Sequence, residues 1–475
     1  MNRPIAAAIG ALAFFASAFA TRSLTSLWYD ELFTVWVAAH PWAEIATQAN
    51  ADGFTPPLYY FLVKGLLWVG AQLEDLRVLP ILFGAMALVA AWDAASRLFG
   101  SSARIVSLLV VGCSSYLFTF AHELRPYSLL IALTFFVLGR LGGERSAASD
   151  ALAGWTTLAA TAFSYLGATL VAIWCWETRG RVSRRRFWSM VLLAMLAGLP
   201  GLMKAAHLAA AWPGSSIDQS QAPLSISASL FGAGVLPFGA RVEQPLWAVV
   251  ALAAMFAVRK ARATPAISFL VRACVFSLAA VFLLNTAVRT GFAPRYFAVA
   301  WSVAALLGVG LQSEAGRKGV VFGVLVAITN MWAIAGYLAA SPPAREDWRG
   351  VMKRFEKLLG SRGVLLSFPY HHGAVAAYSY ASGLQVGGGF TSRQPPVFWY
   401  DPPARFAGYG FAGLQRFDTA GEALSRVALG TSTCLVSDQA DVTKTAGVFT
   451  AFERLGAKPF DTGDPRIRAL CRVPD

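Results

Sequence analysis

Residues 57–70 read PLYYFLVKGLLWVG, and whether this stretch crosses a membrane decides the fold. If it crosses, Asp30 and Glu31, in LWYDELF at 27–33, face the side opposite Glu123 and Arg295. If it lies along the membrane surface, all four share a side. Leu58, Phe61, Leu62, Gly65, Leu66 and Val69 fall near one side of a helical wheel, with Lys64 off it. That pattern, in a stretch short of the ~20 residues of a perpendicular span, fits an interfacial, partly re-entrant helix.

Working outward, the chain of 475 residues is 56% hydrophobic and 14% charged, with a mean hydropathy of +0.53. Soluble domains carry about 25% charged residues, so the chain belongs in a membrane. Lys and Arg outnumber Asp and Glu by 40 to 26. The excess sits in short loops between apolar runs, which excludes nucleic acid as a partner and matches the positive-inside pattern. Apolar runs at 4–21, 78–97, 103–121, 126–141, 150–164, 165–177, 187–209, 245–258, 265–287, 295–312 and 319–340 predict about 11 transmembrane helices. The end of the first, Ser17–Ala20, has the small residues of a signal-peptidase site, but its length suits a retained helix. Basic loops at Arg97/Arg104, Arg140/Arg145, Arg179–Arg186, Arg259–Arg262 and Arg317/Lys318 share one face if 150–177 is two short spans joined near Tyr165. That face is cytoplasmic. Residues 22–77, the corner at 121–126, residues 210–244, the corner at 288–295 and everything after 340 then face outside.

The expected architecture is an all-α polytopic membrane bundle over 1–340, its first outer loop carrying interfacial helices, followed by a small C-terminal α/β domain over 341–475. In the tail, Gly363–Pro369, Thr433–Ser437 and Ile467–Val473 read as strands. Asp347–Leu359, Gly373–Tyr380, Gly421–Leu429 and Thr443–Leu455 read as helices. Of the five cysteines, Cys113, Cys175 and Cys274 lie in apolar runs and read as packing residues. Cys434 and Cys471 lie in the tail and could pair across a sheet in an oxidising compartment. No CxxC or histidine set has metal-ligand spacing.

Three outer corners supply polar groups to one surface. The first carries Asp30, Glu31 and Asp52, with Lys64 just beyond. The second, AHELRPYS at 121–128, carries His122, Glu123, Arg125 and Tyr127. The third, RTGFAPRYF at 289–297, carries Arg289, Arg295 and Tyr296. Carboxylates and guanidiniums at a membrane surface suit transfer from a lipid-linked phosphate. Arg forks bind phosphate oxygens and stabilise a phosphate leaving group, and a carboxylate deprotonates an acceptor hydroxyl. On the plainer readings, Asp30 and Glu31 cap a helix and face water, Arg125 and Arg295 anchor an aromatic belt, Glu123 pairs with Arg125, and Lys64 snorkels. His122 reads as structural.

WYDE at 28–31, DGFTPPLYY at 52–60, RVLPILFGA at 77–85, HELRPYSLL at 122–130, PRYF at 294–297 and EDWRG at 346–350 together resemble the membrane glycosyltransferases of the GT-C fold. The nearest resemblance is to the bacterial branch related to protein O-mannosyltransferases and to the lipid A aminoarabinose and galacturonic acid transferases. The resemblance covers residues 1–350 in order and implies an inverting glycosyltransferase in the bacterial inner membrane. Its donor would be a polyprenyl-phosphate monosaccharide. Its acceptor would be a glycolipid, a cell-wall polysaccharide or a protein, reached with the active site and C-terminal domain on the periplasmic side. It carries the catalytic base or acceptor-orienting role to Asp30, with Glu31 beside it. Arg125, Arg295, Tyr296 and Lys64 fall to the donor phosphate, and Asp52 and Glu123 are site carboxylates. The family's Asp-x-His-Pro-Pro is altered: Asp52 lies one residue further from the prolines and Thr55 stands where histidine is usual. Asp30, Asp52 and Glu123 could hold a divalent cation. Neutralisation of the phosphate by Arg125 and Arg295, with no metal or other cofactor, is preferred.

The alternative from another class is a transporter or flippase of lipid-linked glycans. The sequence has no internal repeat of the transporter kind, and its polar clusters sit at one face rather than at mid-membrane depth. A receptor with an inert bundle is disfavoured by the same clusters.

Overall fold

The computed structural model describes residues 3–25, 27, 29–49, 55–143, 146–211, 259, 264–288, 294–339, 347–359, 364–367, 397–400, 414–417, 432–438, 449–463 and 467–473. They group into two compact units. The first comprises Met1–Arg22, Ala46–Tyr59 and Arg77–Tyr337; the second comprises Ser23–Ile45, Tyr60–Leu76 and Leu338–Asp475.

In the first unit the apolar runs are helices: α1 (Arg3–Thr21), then α5 (Val78–Phe99), α6 (Ala103–Gly112), α7 (Ser115–Ala121), α8 (Tyr127–Gly142), α9 (Ala147–Phe163), α10 (Ala168–Thr178), α11 (Arg184–Ala211), α12 (Pro265–Val288), α13 (Ala298–Glu314) and α14 (Arg317–Ala339). Between α1 and α5 the chain forms α2 (Tyr29–Ala39), α3 (Ile45–Ala49) and α4 (Pro57–Trp68). Among the described residues, four helical stretches are long and apolar enough to cross a membrane, 75–99, 184–203, 265–284 and 295–314; α6 with α7 is a fifth if a bend of 58° is counted as one span. The expected run at 103–121 is therefore broken. Gly112 ends α6, and Ser114 starts α7 as its N-cap, its hydroxyl accepting from the amides of Tyr116 and Leu117. The expected span at 245–258 lies outside the described residues. Trp188, Leu192, Met195, Leu196, Leu202 and Met203 on α11, and Val321, Leu325, Ile328 and Trp332 on α14, stand exposed. So wide an apolar surface belongs against lipid rather than water.

The break expected near Tyr165 is present as a 3₁₀ turn over Tyr165–Gly167 between α9 and α10. Gly167 is required there because a Cβ would lie 2.4 Å from the Ala160 carbonyl carbon. Trp174 Nε1 donates to the Asp150 carbonyl at 2.8 Å, and Arg181 lies 3.5 Å from the Asp150 carboxylate, so the start of α9 meets the end of α10. Arg140 of α8 and Arg97 of α5 share Asp93, at 3.8 and 2.7 Å. Arg272, a cation inside α12, is matched by Glu177 of α10 at 2.8 Å. Ion pairs thus join α5 to α8, the segment after α10 to α9, and α10 to α12 inside one unit. Close approach of α5 and α8 rests on Gly139, where a Cβ would stand 2.8 Å from the Ala94 Cα.

The second unit contains α2, most of α4, α15 (Trp348–Leu359) and a sheet of β1 (Val364–Ser367), β2 (Val397–Tyr400), β3 (Leu414–Phe417), β4 (Thr433–Asp438), β5 (Lys458–Phe460) and β6 (Ile467–Arg472). The order is β3-β2-β1-β4-β6-β5, parallel from β3 to β4 and antiparallel from β4 through β6 to β5. Three strands and α15 match the expected segments; β2, β3 and β5 were not foreseen. The helices expected at 373–380 and 421–429 lie outside the described residues, and of 443–455 the described part is helical over 449–454. Cys434 and Cys471 face each other across β4 and β6 and are joined as a disulfide.

Candidate functional site

The corner between α7 and α8 holds two ionisable side chains out of water. Glu123 and Arg125 are about 5% exposed or less. The chain turns sharply there, the Arg125 amide donating to the Glu123 carbonyl at 2.6 Å before Pro126 starts α8. Arg125 Nη1 donates to the hydroxyl of Thr55, itself buried, at 3.1 Å. A buried guanidinium needs acceptors, and this one ties the segment before Pro56–Pro57 to the corner. Adjacent His122 is bound at both ring nitrogens: Nδ1 to the Phe118 carbonyl at 2.8 Å, and Nε2 to the Ala18 carbonyl and the Thr21 hydroxyl, each at 3.0 Å. It therefore pins α7 to the end of α1, as its structural reading anticipates.

Arg77, fully buried at the start of α5, donates Nη1 to the Arg22 carbonyl at 2.7 Å. The end of α1 thus receives both Arg77 and His122. Arg77 belongs to RVLPILFGA, and its residue type alone points to no role. Its only sequence signal is an arginine placed directly before an apolar run.

The third corner is a 3₁₀ turn, Pro294–Phe297, leading into α13. Tyr296 and Phe297 are buried and Arg295 is half-buried, its guanidinium 5.5 Å from the Tyr296 ring centre. Trp301, in the first turn of α13, stacks on Tyr116 at 4.8 Å and meets Phe135 edge-on at 6.1 Å. Tyr116 also contacts Phe120, which contacts Tyr127, and it lies within electrostatic range of Glu123. An aromatic platform therefore seats the third corner beside the second.

In the second unit, Asp30 and Glu31 occupy the first turn of α2, where carboxylates complement the helix dipole. The two differ sharply: Glu31 is fully buried, whereas Asp30 is half-exposed, its carbonyl accepting from the Thr34 hydroxyl at 3.0 Å. Full burial of Glu31 does not fit a carboxylate that merely faces water.

Tyr59, Tyr60, Val63, Lys64 and Leu67 form the buried side of α4, while Leu58, Phe61, Leu62, Gly65, Leu66 and Val69 are half-exposed or open. The Lys64 ammonium donates to the carbonyls of Ala38 at 3.2 Å and His40 at 2.6 Å. It caps the C-terminal end of α2, where a cation is favoured. Trp42, 5.5 Å from the ammonium and stacked on Phe61, covers it. Burial lowers its pKa from the usual lysine value. Lys64 thus directs two of its three N–H donors to backbone carbonyls and clamps α2 to α4. Asp52 and Arg289 lie outside the described residues. Among the described residues no group of three His, Cys, Asp or Glu side chains is arranged to hold a metal ion.

No protein-family model and no curated protein sequence matches the chain. It is similar in structure to ArnT from Cupriavidus metallidurans bound to undecaprenyl phosphate, with 14% identity and a TM-score of 0.49 over 99% of this chain and 98% of that one. Its likeness to the apo state of that protein has 15% identity and the same TM-score over 98% of each chain. It is also similar to the Archaeoglobus fulgidus oligosaccharyltransferase in complex with Zn and sulfate, with 10% identity and a TM-score of 0.45, over 78% of this chain and 61% of that one.

Proposed function

We propose that the protein is an inverting glycosyltransferase that moves a monosaccharide from a polyprenyl-phosphate donor to an acceptor of the cell envelope, at the outer face of the membrane. The observation that carries this reading is the hydrogen bond from buried Arg125 to Thr55. It joins two stretches, DGFTPPLYY and HELRPYSLL, that are 70 residues apart in sequence and share no local reason to meet. Arg77 draws RVLPILFGA, and His122 draws HELRPYSLL, to the same end of α1. A guanidinium held this rigidly in a low-dielectric corner is suited to a phosphate whose charge grows as it leaves.

In the proposed reaction the Asp30 carboxylate takes the proton of an acceptor hydroxyl. The hydroxyl oxygen attacks the anomeric carbon from the side opposite the phosphate. The bond from that carbon to the phosphate oxygen breaks, and polyprenyl phosphate leaves with the electron pair, stabilised by Arg125 and Arg295. Asp30 is preferred to Glu31 as base because a base must be reached by the acceptor, and Glu31 is fully enclosed. Glu31 is assigned to support α2, and Tyr296 to fixing Arg295. Glu123 and Asp52 are assigned as site carboxylates. No metal is assigned.

The test is mass spectrometry of cell-envelope lipids and glycans from a deletion strain complemented with the wild type or with Asp30→Asn. The expected result is loss of one glycosyl mass from an acceptor and accumulation of the polyprenyl-phosphate sugar, restored by the wild type alone. Unchanged pools in the deletion strain refute the transferase reading. Full rescue by Asp30→Asn refutes only the assignment of Asp30.

A further inference from the structure

Helix α15 has two unlike faces. Trp348, Val351, Met352, Phe355 and Leu359 are buried, and Phe355 stacks on Phe460 of β5 at 5.2 Å. On the other side Arg349, Lys353 and Lys357 follow one another at intervals of four, the last two exposed. Arg354 beside them is occupied by Asp461 at 3.2 Å. Glu356 precedes Lys357 in sequence, so the helix is not wholly basic, but Lys353 and Lys357 are like charges one turn apart, which repel and weaken a helix. An anionic surface opposite the two would relieve that repulsion.

The position of the line points to which surface. Arg349 donates Nη2 to the carbonyl of Ser23 at 3.0 Å. Ser23 comes two residues after Thr21, the last residue of α1, an apolar helix. The same unit exposes Leu24 directly after Ser23, and Trp42, Trp68 and Val69 around α4. Such side chains populate the boundary between headgroups and acyl chains. Within this one unit, the basic line begins just after the chain leaves the apolar helix α1, among side chains suited to a membrane boundary.

We propose that Lys353 and Lys357 rest on the phosphates of anionic phospholipids, in the leaflet at which α1 ends, and hold the C-terminal domain down on the bilayer. The contact is independent of sugar transfer. It needs only the exposed lysine line and a negatively charged leaflet, whose attraction for such residues fades within a screening length.

The test uses the full-length protein in nanodiscs of phosphatidylcholine alone and of phosphatidylcholine with phosphatidylglycerol. Lysine acetylation rates are read by mass spectrometry. Lys353 and Lys357 are expected to react several-fold more slowly in the anionic discs, while exposed Lys458 of β5 reacts equally in both. The difference disappears at about 1 M salt, where the screening length falls to ~3 Å. Equal rates in the two discs overturn the proposal. So does protection in neutral discs on addition of inorganic phosphate, which makes the line a soluble-anion site. In the double variant Lys353→Glu, Lys357→Glu, backbone hydrogen exchange of α15 is expected to quicken in anionic discs and to match the wild type in neutral ones. Faster exchange in both discs marks a purely structural role and also overturns it.

Discussion

Replacing Thr55 by valine tests whether the Arg125 contact serves the reaction. Valine keeps the volume of the side chain and removes the one hydroxyl that Arg125 Nη1 reaches at 3.1 Å. Both residues are buried, Thr55 at 3% and Arg125 at 4% exposure, so water does not readily replace the lost oxygen. A hydrogen bond to a charged group is worth about 1.5–3 kcal/mol. If that energy fixes Arg125 where phosphate charge develops, its loss appears in the barrier. At 1.36 kcal/mol per tenfold, transfer slows roughly ten- to hundredfold. Thr55→Ser keeps the oxygen and is expected to stay within a few-fold of the wild type. The assay is the rate of appearance of the glycosylated acceptor after induced expression in the deletion strain, normalised to membrane protein level, with the melting temperature of the detergent-purified protein measured alongside. A Thr55→Val protein that melts lower but transfers at the wild-type rate would show the contact to be scaffolding only. A variant unchanged in both would refute the positioning of Arg125 by Thr55 altogether.

The remaining expectations concern the second unit. Asp30→Asn abolishes transfer at normal membrane level, whereas Glu31→Gln, altering a fully enclosed carboxylate, lowers the amount of folded protein, read by fluorescence-detected gel filtration. Removing the disulfide with Cys434→Ser and Cys471→Ser frees a loop of 37 residues, a loss of roughly 4 kcal/mol in the chain-entropy account; the C-terminal domain is then expected to be cut by protease at temperatures at which the wild type resists. Burial penalises the Lys64 ammonium and holds its folded-state pKa below the usual lysine value of 10.5. Between the two values the unfolded chain holds more protons than the folded one, so stability rises as pH climbs through that window and the penalty is fully present below it. A Lys64→Met protein is expected to lose this rise in melting temperature on going from neutral pH toward 10.5; an unchanged pH slope sinks the assignment to Lys64.

The helices were legible because apolar runs of span-like length leave few alternatives. The hinge near Tyr165 was legible because the positive charges at Arg140 and Arg179–Arg186 fall on one face only if the chain turns back between them. The bend at Ser114 was not, because hydropathy does not register a capping serine within an apolar run. In the tail, TCLVS and IRALCR are apolar enough to announce buried strands. LQRF and KPF are three or four residues long, too short for any period to emerge, and the lattice of β1, β2 and β3 depends on neighbours far along the chain.

The candidate site divides the same way, and the division explains where sequence reading fails. Charged residues at apolar corners declare themselves through the cost of placing them there, which is what makes Asp30, Glu123, Arg125 and Arg295 candidates in the sequence. What holds them does not. Lys64 has the same signature as a phosphate ligand, and its ammonium also donates to the carbonyls of Ala38 and His40, partners that no residue type reveals. Thr55 shows the converse. It departs from the histidine of the pattern that the chain resembles. In the structure a neutral hydroxyl at that position meets the buried guanidinium of Arg125. The departure therefore does not break the link between the Pro-Pro segment and the corner, since an acceptor oxygen is what that guanidinium requires, and threonine supplies one.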